Sequence, residues 1–170
     1  MQPLPAGARG VYGCLVGRAY VGLGANLGDR AATLLRAIEL LDEQPGIDVV
    51  AVSSFRETDP VGFLDQPLFL NAAAAVETTL SPRALLGTLL EVEQQLGRVR
   101  EGPRYGPRTV DLDLLLLDGL TVDEPGLEIP HPRLHERAFA LEPLAELDPA
   151  LVVPGHGPVQ QLLLALQSSP

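Results

Sequence analysis

The chain has no lysine and no tryptophan, one cysteine (Cys14), three tyrosines and four phenylalanines. All twelve basic side chains are arginines. Without lysine there is no P-loop, whose Gly-rich turn ends in a phosphate-binding Lys. Any phosphate must then be held by arginine, by a metal ion or by backbone N–H groups. A single cysteine forms no internal disulfide, which suits a reducing compartment and leads to an expected cytoplasmic location. Apolar runs are short. Runs such as Leu114–Leu117 are strand-sized, far below the ~20 residues of a membrane helix. Positive charge is scarce as well: the net charge is −10, so a nucleic-acid surface is a poor default. The beginning of the chain, with Pro3, Pro5, Gly7 and Arg9, has no apolar signal core. Its Val11-Tyr12-Gly13-Cys14 stretch bears only a faint likeness to a lipoprotein cleavage site. Residues 1–18 are expected to be a loose leader and residues 19–170 a single domain.

Hydrophobic residues are plentiful, at 46%, and their spacing separates strands from helices. Ala19–Gly24 alternates like a strand and leads into the turn Gly24–Asp29. Helical spacing of Ala31, Leu34, Leu35, Ile38 and Leu41 predicts a helix over about 29–44, ended by Pro45-Gly46. Ile47–Glu57 reads as one β-branched strand, residues 59–67 as a loop and Phe69–Thr79 as a third strand. Ser81-Pro82 opens a second helix as cap and first residue, and Gly97 stops it. An irregular loop over 98–108 precedes a fourth strand, Thr109–Leu117. Two further helices are expected, Arg133–Leu147 and Val159–Gln167. The order β-α-β-β-α-β is that of an α+β, ferredoxin-like fold, an antiparallel sheet with helices on one face and a C-terminal helical extension.

Asp111 and Asp113 lie two apart on the fourth strand, so both face the same way, with Leu115 and Leu117 beyond them and Leu112, Leu114 and Leu116 opposite. Two neighbouring acids repel and resist burial. Either they sit solvated on an exposed strand edge, or a cation lies between them, for which Mg²⁺ is the natural candidate. The loop before them holds Arg98, Arg100, Arg104 and Arg108 against one acid, Glu101. Metal-binding acids beside arginines that fork onto phosphate oxygens are what polyphosphate transfer requires. Pro and Gly in that loop suit a lid. Glu93 lies on the buried side of the second helix, close to metal or an arginine, or else it reaches to water. His131 and His135 would share a helical face, but zinc would need further ligands such as Cys, and phosphate contact by His131 and Arg137 fits better. Gly22, Gly24 and Gly28 mimic a dinucleotide fingerprint at the wrong spacing; a tight strand-to-helix turn is simpler.

Gly97-Arg98-Val99-Arg100 followed by Arg104-Tyr105-Gly106-Pro107-Arg108-Thr109-Val110-Asp111-Leu112-Asp113 resembles the hydroxymethyldihydropterin pyrophosphokinases of folate biosynthesis. Residues 22–28, 53–55, 57–62, 65–67 and 69–72 support the likeness, as do Pro130–Arg133 and Glu136–Phe139. The resemblance spans about residues 19–166. It implies that ATP and 6-hydroxymethyl-7,8-dihydropterin give AMP and the pterin diphosphate. By the same likeness Asp111 and Asp113 would hold two Mg²⁺, and Arg98 and Arg108 would clamp phosphates from a mobile loop. Arg100, Leu114, His131 and Arg137 would contact ATP. Asn71 would hydrogen-bond the pterin between the rings of Phe69 and Phe139, with Thr58 and Val61 lining its pocket. A cytoplasmic monomer with no nucleic-acid or membrane partner is implied. Phe69, Glu101, Tyr105 and Pro132 stand where enterobacterial members have Tyr, Lys, Trp and Tyr, which bears on loop closure and ATP affinity.

Overall fold

In the computed structural model of the chain, residues 17–169 are described; most of the expected leader, residues 1–16, lies outside them. The chain enters the sheet at Gly17, so Gly17 and Arg18 belong to the first strand. Its elements are β1 (Gly17–Ala25), α1 (Arg30–Asp42), β2 (Ile47–Val52), β3 (Arg56–Thr58), β4 (Phe69–Thr78), α2 (Pro82–Gln95) and β5 (Asp111–Leu117). Then follow a hairpin of β6 (Val122–Glu124) and β7 (Leu127–Ile129), a 3-10 turn (Leu134–Glu136), α3 (Ala138–Leu147), a small ladder of β8 (Val152–Val153) and β9 (Gly157–Pro158), and α4 (Val159–Ser168). The main sheet runs β2-β4-β1-β5, every pair antiparallel, and β3 continues the β2 side of β4.

Local chemistry sets the helix starts. The Asp29 carboxylate accepts the Ala32 N–H at 3.0 Å, and Ser81 Oγ accepts the Ala84 N–H at 3.2 Å ahead of Pro82. Each satisfies an N–H that the first helical turn leaves free. Gly97 closes α2 at φ +79°, a left-handed conformation that suits glycine.

Helices cover both faces of the sheet, where the sequence pattern suggested one. Leu34, Leu41, Leu85, Leu89 and Val92 of α1 and α2 pack on Val21, Leu23, Ala72, Ala74, Leu112 and Leu114. Leu141 and Leu144 of α3 and Val159 and Leu163 of α4 pack on Tyr20, Ala73, Ala75 and Leu115. The C-terminal third is therefore a second layer. Burial from both sides explains the Ala72–Ala75 run, since small side chains let two helical layers approach one strand.

Three expected elements differ. The strand predicted over 47–57 breaks after Val52. Ser53 is buried and bonds Ala73 with both its N–H (2.9 Å) and its Oγ (2.9 Å), while Ser54 turns out to Glu146. The helix predicted over 133–147 is interrupted at Arg137, which is extended at φ −116°, ψ 95°. Third, β5 does not alternate throughout. Tyr20 pairs with Leu116 but Val21 with Leu114, so one extra residue on β5 makes a bulge. Leu115 and Leu116 consequently both join the α3 side and Leu117 joins the α1/α2 side, reversing the expected faces of Leu116 and Leu117.

Candidate active site

Strand register assembles the site. Gly24 of β1 pairs with Asn71 of β4 on one side and Asp111 of β5 on the other, and Gly22 pairs with Ala73 and Asp113. Adjacent strands lie ~4.8 Å apart, so Asn71 and Asp111 stand about 10 Å apart across Gly24. Glycine is needed between them: a Cβ on Gly24 would come within 2.9 Å of Asn71 Oδ1, and one on Gly22 within 3.3 Å of Leu115. The result is a floor without side chains between an amide and a pair of acids.

Two cavities open on this floor. The smaller, about 100 Å³, is walled by Thr58, Val61, Phe69, Asn71 and Phe139. The larger, about 490 Å³, is walled by Arg98, Arg100, Leu114, Glu128, His131 and Pro132. They share Tyr105, Arg108, Asp111, Asp113 and Arg137. The acid pair is thus the meeting point of an apolar, aromatic-sided chamber and a cationic one.

Charge is unevenly matched there. Asp111 accepts from Arg98 at 2.5 Å and from Arg108 at 2.8 Å. Asp113 has Arg137 only at 4.0 Å and keeps 35% of its side chain open to the cavity, with protein atoms around the rest. Burial first, then the neighbouring Asp111 charge, pushes the Asp113 carboxyl up to about 7. A divalent cation beside Asp113 would remove that penalty. Among the described residues no cluster of three or more His, Cys, Asp and Glu side chains forms a metal cage. Two carboxylates with the other positions left to phosphate and water is the donor set Mg²⁺ favours, so the residues fit that ion.

Glu93 organises the cationic wall. It is 1% exposed, and its Oε1 accepts the Leu112 N–H at 2.8 Å, on the outer edge of β5 between the two acids. The same carboxylate pairs with Arg98 and, at 2.7 Å, with Arg100. Burial raises its pKa, opposed by the Leu112 N–H and the Arg98 charge. Of the readings open for Glu93, the arginine partner is the one observed. His131 Nδ1 accepts the Arg133 N–H at 3.2 Å, which leaves Nε2 as the protonated nitrogen of the neutral ring. Burial, then the Arg137 charge, lowers its pKa to about 4.

Every residue named as a metal, ATP or pterin contact lies on one of the two cavities, while Glu101 and Arg104 of the arginine-rich loop line neither. His135 lines neither, and the expected shared helical face with His131 is absent: His131 lies ahead of the 3-10 turn Leu134–Glu136, and His135 stacks on His156 with ring centroids 3.9 Å apart. Arg133 and Gly22 line the small cavity without having been singled out as site residues. Two glycines two apart on a buried strand were the available signal, since such glycines mark close approach of a ligand or backbone.

Fold and site together define a mixed α/β enzyme domain of the phosphoryl-transfer class, with two cavities meeting at an acid pair. The family model for 7,8-dihydro-6-hydroxymethylpterin-pyrophosphokinase (HPPK) matches residues 20–149. The chain belongs to this family. It is 49% identical over 152 residues to the 2-amino-4-hydroxy-6-hydroxymethyldihydropteridine pyrophosphokinase of Methylorubrum extorquens, covering 89% of this chain and 95% of that protein. It is 42% identical to the enzyme of the same name from Pseudomonas aeruginosa, covering 89% and 93%. Among solved structures, the Plasmodium falciparum HPPK-DHPS A437G chain with STZ-DHP superposes with a TM-score of 0.72 at 14% identity. That match covers 96% of this chain and 47% of the larger one, so the chain spans about half of that protein. At such identity the likeness concerns the fold alone.

Proposed function

We propose that the larger cavity takes ATP, the smaller one 6-hydroxymethyl-7,8-dihydropterin, and that the hydroxymethyl oxygen attacks the β-phosphorus of ATP where the two meet. Pyrophosphoryl transfer to hydroxymethyldihydropterin in folate biosynthesis is the family's reaction and this chain's function. The observation that carries the residue assignment is that Arg108, Asp111, Asp113 and Arg137 wall both cavities.

Asp111 and Asp113 would hold two Mg²⁺. Bound there, the ions would neutralise and orient the phosphates and acidify the attacking alcohol. Arg98, Arg100 and Arg108 provide charge for the phosphate oxygens. Of these three, only Arg108 lines both cavities. The Nε2–H of neutral His131 donates to the nucleotide without bringing a competing charge, and Arg137 spans the gap between Asp113 and Phe139, its guanidinium 5.7 Å from that ring. The Asn71 amide, steadied by a 2.5 Å bond from Nδ2 to Thr58 Oγ1, reads the amide-like edge of the pterin, while Phe69 and Phe139 take its faces, a contact worth ~0.5–1.5 kcal/mol beyond burial. Leu114 and Val61 supply apolar walls. The hydroxymethyl oxygen would attack the β-phosphorus, losing its proton to solvent, and the new P–O bond would form as the P–O bond to AMP breaks. We read the β1–β5 core, on its strand order, as ferredoxin-like, and the protein as a cytoplasmic monomer.

Calorimetry with a non-hydrolysable ATP analogue, Mg²⁺ and the pterin, combined with an AMP-release assay on Asp113→Ala, tests this. The expected result is Mg²⁺-dependent nucleotide binding and loss of turnover in a folded variant. Near-normal turnover by Asp113→Ala would remove the metal role.

A further inference from the structure

The helix that carries Phe139 is weak at the point where it carries it. Phe139 is the second residue of α3, and the cap residue, Arg137, makes no side-chain bond to the first turn. Pro143 lies inside the helix. It has no N–H, so the carbonyl of Phe139, four residues earlier, lacks its helical partner. The start of α3 therefore does little by itself to fix the ring.

Bonds from outside the helix make up for this. Glu142 and Glu146 follow Phe139 by three and seven residues, which puts all three on one face of α3. Arg56 reaches both acids from β3: its Nη1 donates to Glu142 at 3.2 Å and its Nη2 to Glu146 at 2.9 Å. Glu146 also accepts the Ser54 N–H at 2.8 Å and the Ser54 hydroxyl at 2.7 Å. Ser54, then Arg56, hold the Glu146 carboxyl below its ordinary pKa, so it stays charged at neutral pH. On β3, Arg56 stands opposite Asn71, and Thr58 stands opposite Phe69. One guanidinium thus ties the strand of Thr58, paired to the strand of Phe69 and Asn71, to the helix of Phe139. These four side chains wall the small cavity, while Arg56 lines neither cavity.

We infer that Arg56 is a positioning residue that sets the gap between Phe69 and Phe139, and with it the grip on the pterin, by bracing α3 against β3. The inference rests on the assignment of the pterin to the small cavity. A flat ring gains from two aromatic faces only at stacking distance, and Phe139 shifts with the turn that carries it. Of α3 and its cap residue, only Arg137 lines the large cavity, so the ligand there should be nearly indifferent to the brace.

The experiment measures, by calorimetry, affinity for a Mg²⁺–ATP analogue alone and for the pterin with that analogue saturating. It compares wild type with Arg56→Met, with Arg56→Lys, and with Glu142→Gln, which leaves the Ser54–Glu146 bonds in place. Ion pairs this exposed are individually modest, so Arg56→Met is expected to weaken pterin binding about fivefold and Glu142→Gln about threefold, with the analogue within about twofold of wild type. Arg56→Lys keeps a charge for the acids and should recover pterin binding to within about twofold of wild type. In AMP release by Arg56→Met the pterin KM should rise while kcat changes less than about twofold. Unchanged pterin affinity in both Arg56→Met and Glu142→Gln overturns the brace and leaves the cavity assignment standing. So does an equal fall for both ligands, which would make Arg56 general scaffolding. If Arg56→Met does not fold, Glu142→Gln decides alone by the same criteria. A wild-type chain that takes the analogue but no pterin overturns the cavity assignment and the brace together.

Discussion

At the scale of single residues the site depends as much on atoms left out as on groups put in. Gly24 leaves room for Asn71 on one side and Asp111 on the other, and a methyl group there would meet Asn71 Oδ1 at 2.9 Å. Gly24→Ala is therefore expected to push the Asn71 amide off its bond to Thr58 while the strand still forms. Losing a well-placed buried amide contact costs ~1–3 kcal/mol, so pterin affinity should fall about ten- to hundredfold, with ATP-analogue affinity within about twofold of wild type. Calorimetry with each ligand separately checks the split; an equal loss for both ligands would count against the assigned floor. His131 supplies a second residue-scale test. Its ring is held neutral because Nδ1 accepts a backbone N–H and because burial and Arg137 disfavour charge. The free side chain protonates near 6.5 and the folded one near 4. Between these values the unfolded chain binds more protons, so this contribution is complete above about pH 6.5 and is lost as pH falls toward 4. In His131→Asn, urea midpoints should decline less between pH 7 and pH 4.5 than in wild type.

Elements place these residues, and here the sequence was unevenly legible. α1, β4 and α2 could be read closely because each signal was local: Ser81 as a cap, Pro45-Gly46 and Gly97 as stops, and apolar spacing in between. The acid pair could be read as well, since two carboxylates at strand spacing next to an arginine-rich loop have few uses. What could not be read depends on partners distant in sequence. The break after Val52 exists because Ser53 bonds Ala73, and the bulge at Leu115 because of register with β1. The interruption at Arg137 turns that guanidinium toward Asp113 although helix spacing continues on both sides. Glu93 shows the same distance dependence, because its role requires α2 to lie along the outer edge of β5. An edge strand leaves N–H groups unpaired, and Glu93 accepts the Leu112 N–H while pairing Arg98 and Arg100. Removing one member of a buried charged cluster costs ~3–5 kcal/mol, since the partners are left uncompensated. Arg100 is largely exposed, so the low end applies: Glu93→Ala should lose about 3 kcal/mol in chemical denaturation. Glu93→Gln, which keeps an acceptor for Leu112, should lose less. Equal losses would mean that the backbone bond has no share in the effect.

Over the whole molecule, the second helical layer turns an ordinary sheet face into the enclosure the chemistry needs, and the enclosure has a cost in stability. α3 and α4 cover that face beyond the acids, and the chain leading into α3, with the helix's first turn, brings His131, Arg137 and Phe139 over it, so Asp113 is held among protein atoms without a close cationic partner. Its carboxyl titrates near 7 in the folded chain and near 3.8 when free. As pH rises from about 4 to 7 the unfolded chain gives up this proton first, so the group destabilises the fold over that window and continues to do so at a constant level above it. Asp113→Asn keeps the shape and removes the charge. In the metal-free protein the variant should melt several degrees above wild type at pH 8, a 1 kcal/mol gain being worth ~2–4 °C in a domain of this size, and the two should converge near pH 4. Thermal scans in the presence of chelator at both pH values measure this. Adding Mg²⁺ with an ATP analogue should raise the wild-type midpoint and leave that of Asp113→Asn nearly unmoved. A variant that gained no stability at pH 8 would mean that Asp113 sits there without strain, and the physical reason for expecting a cation beside it would be gone.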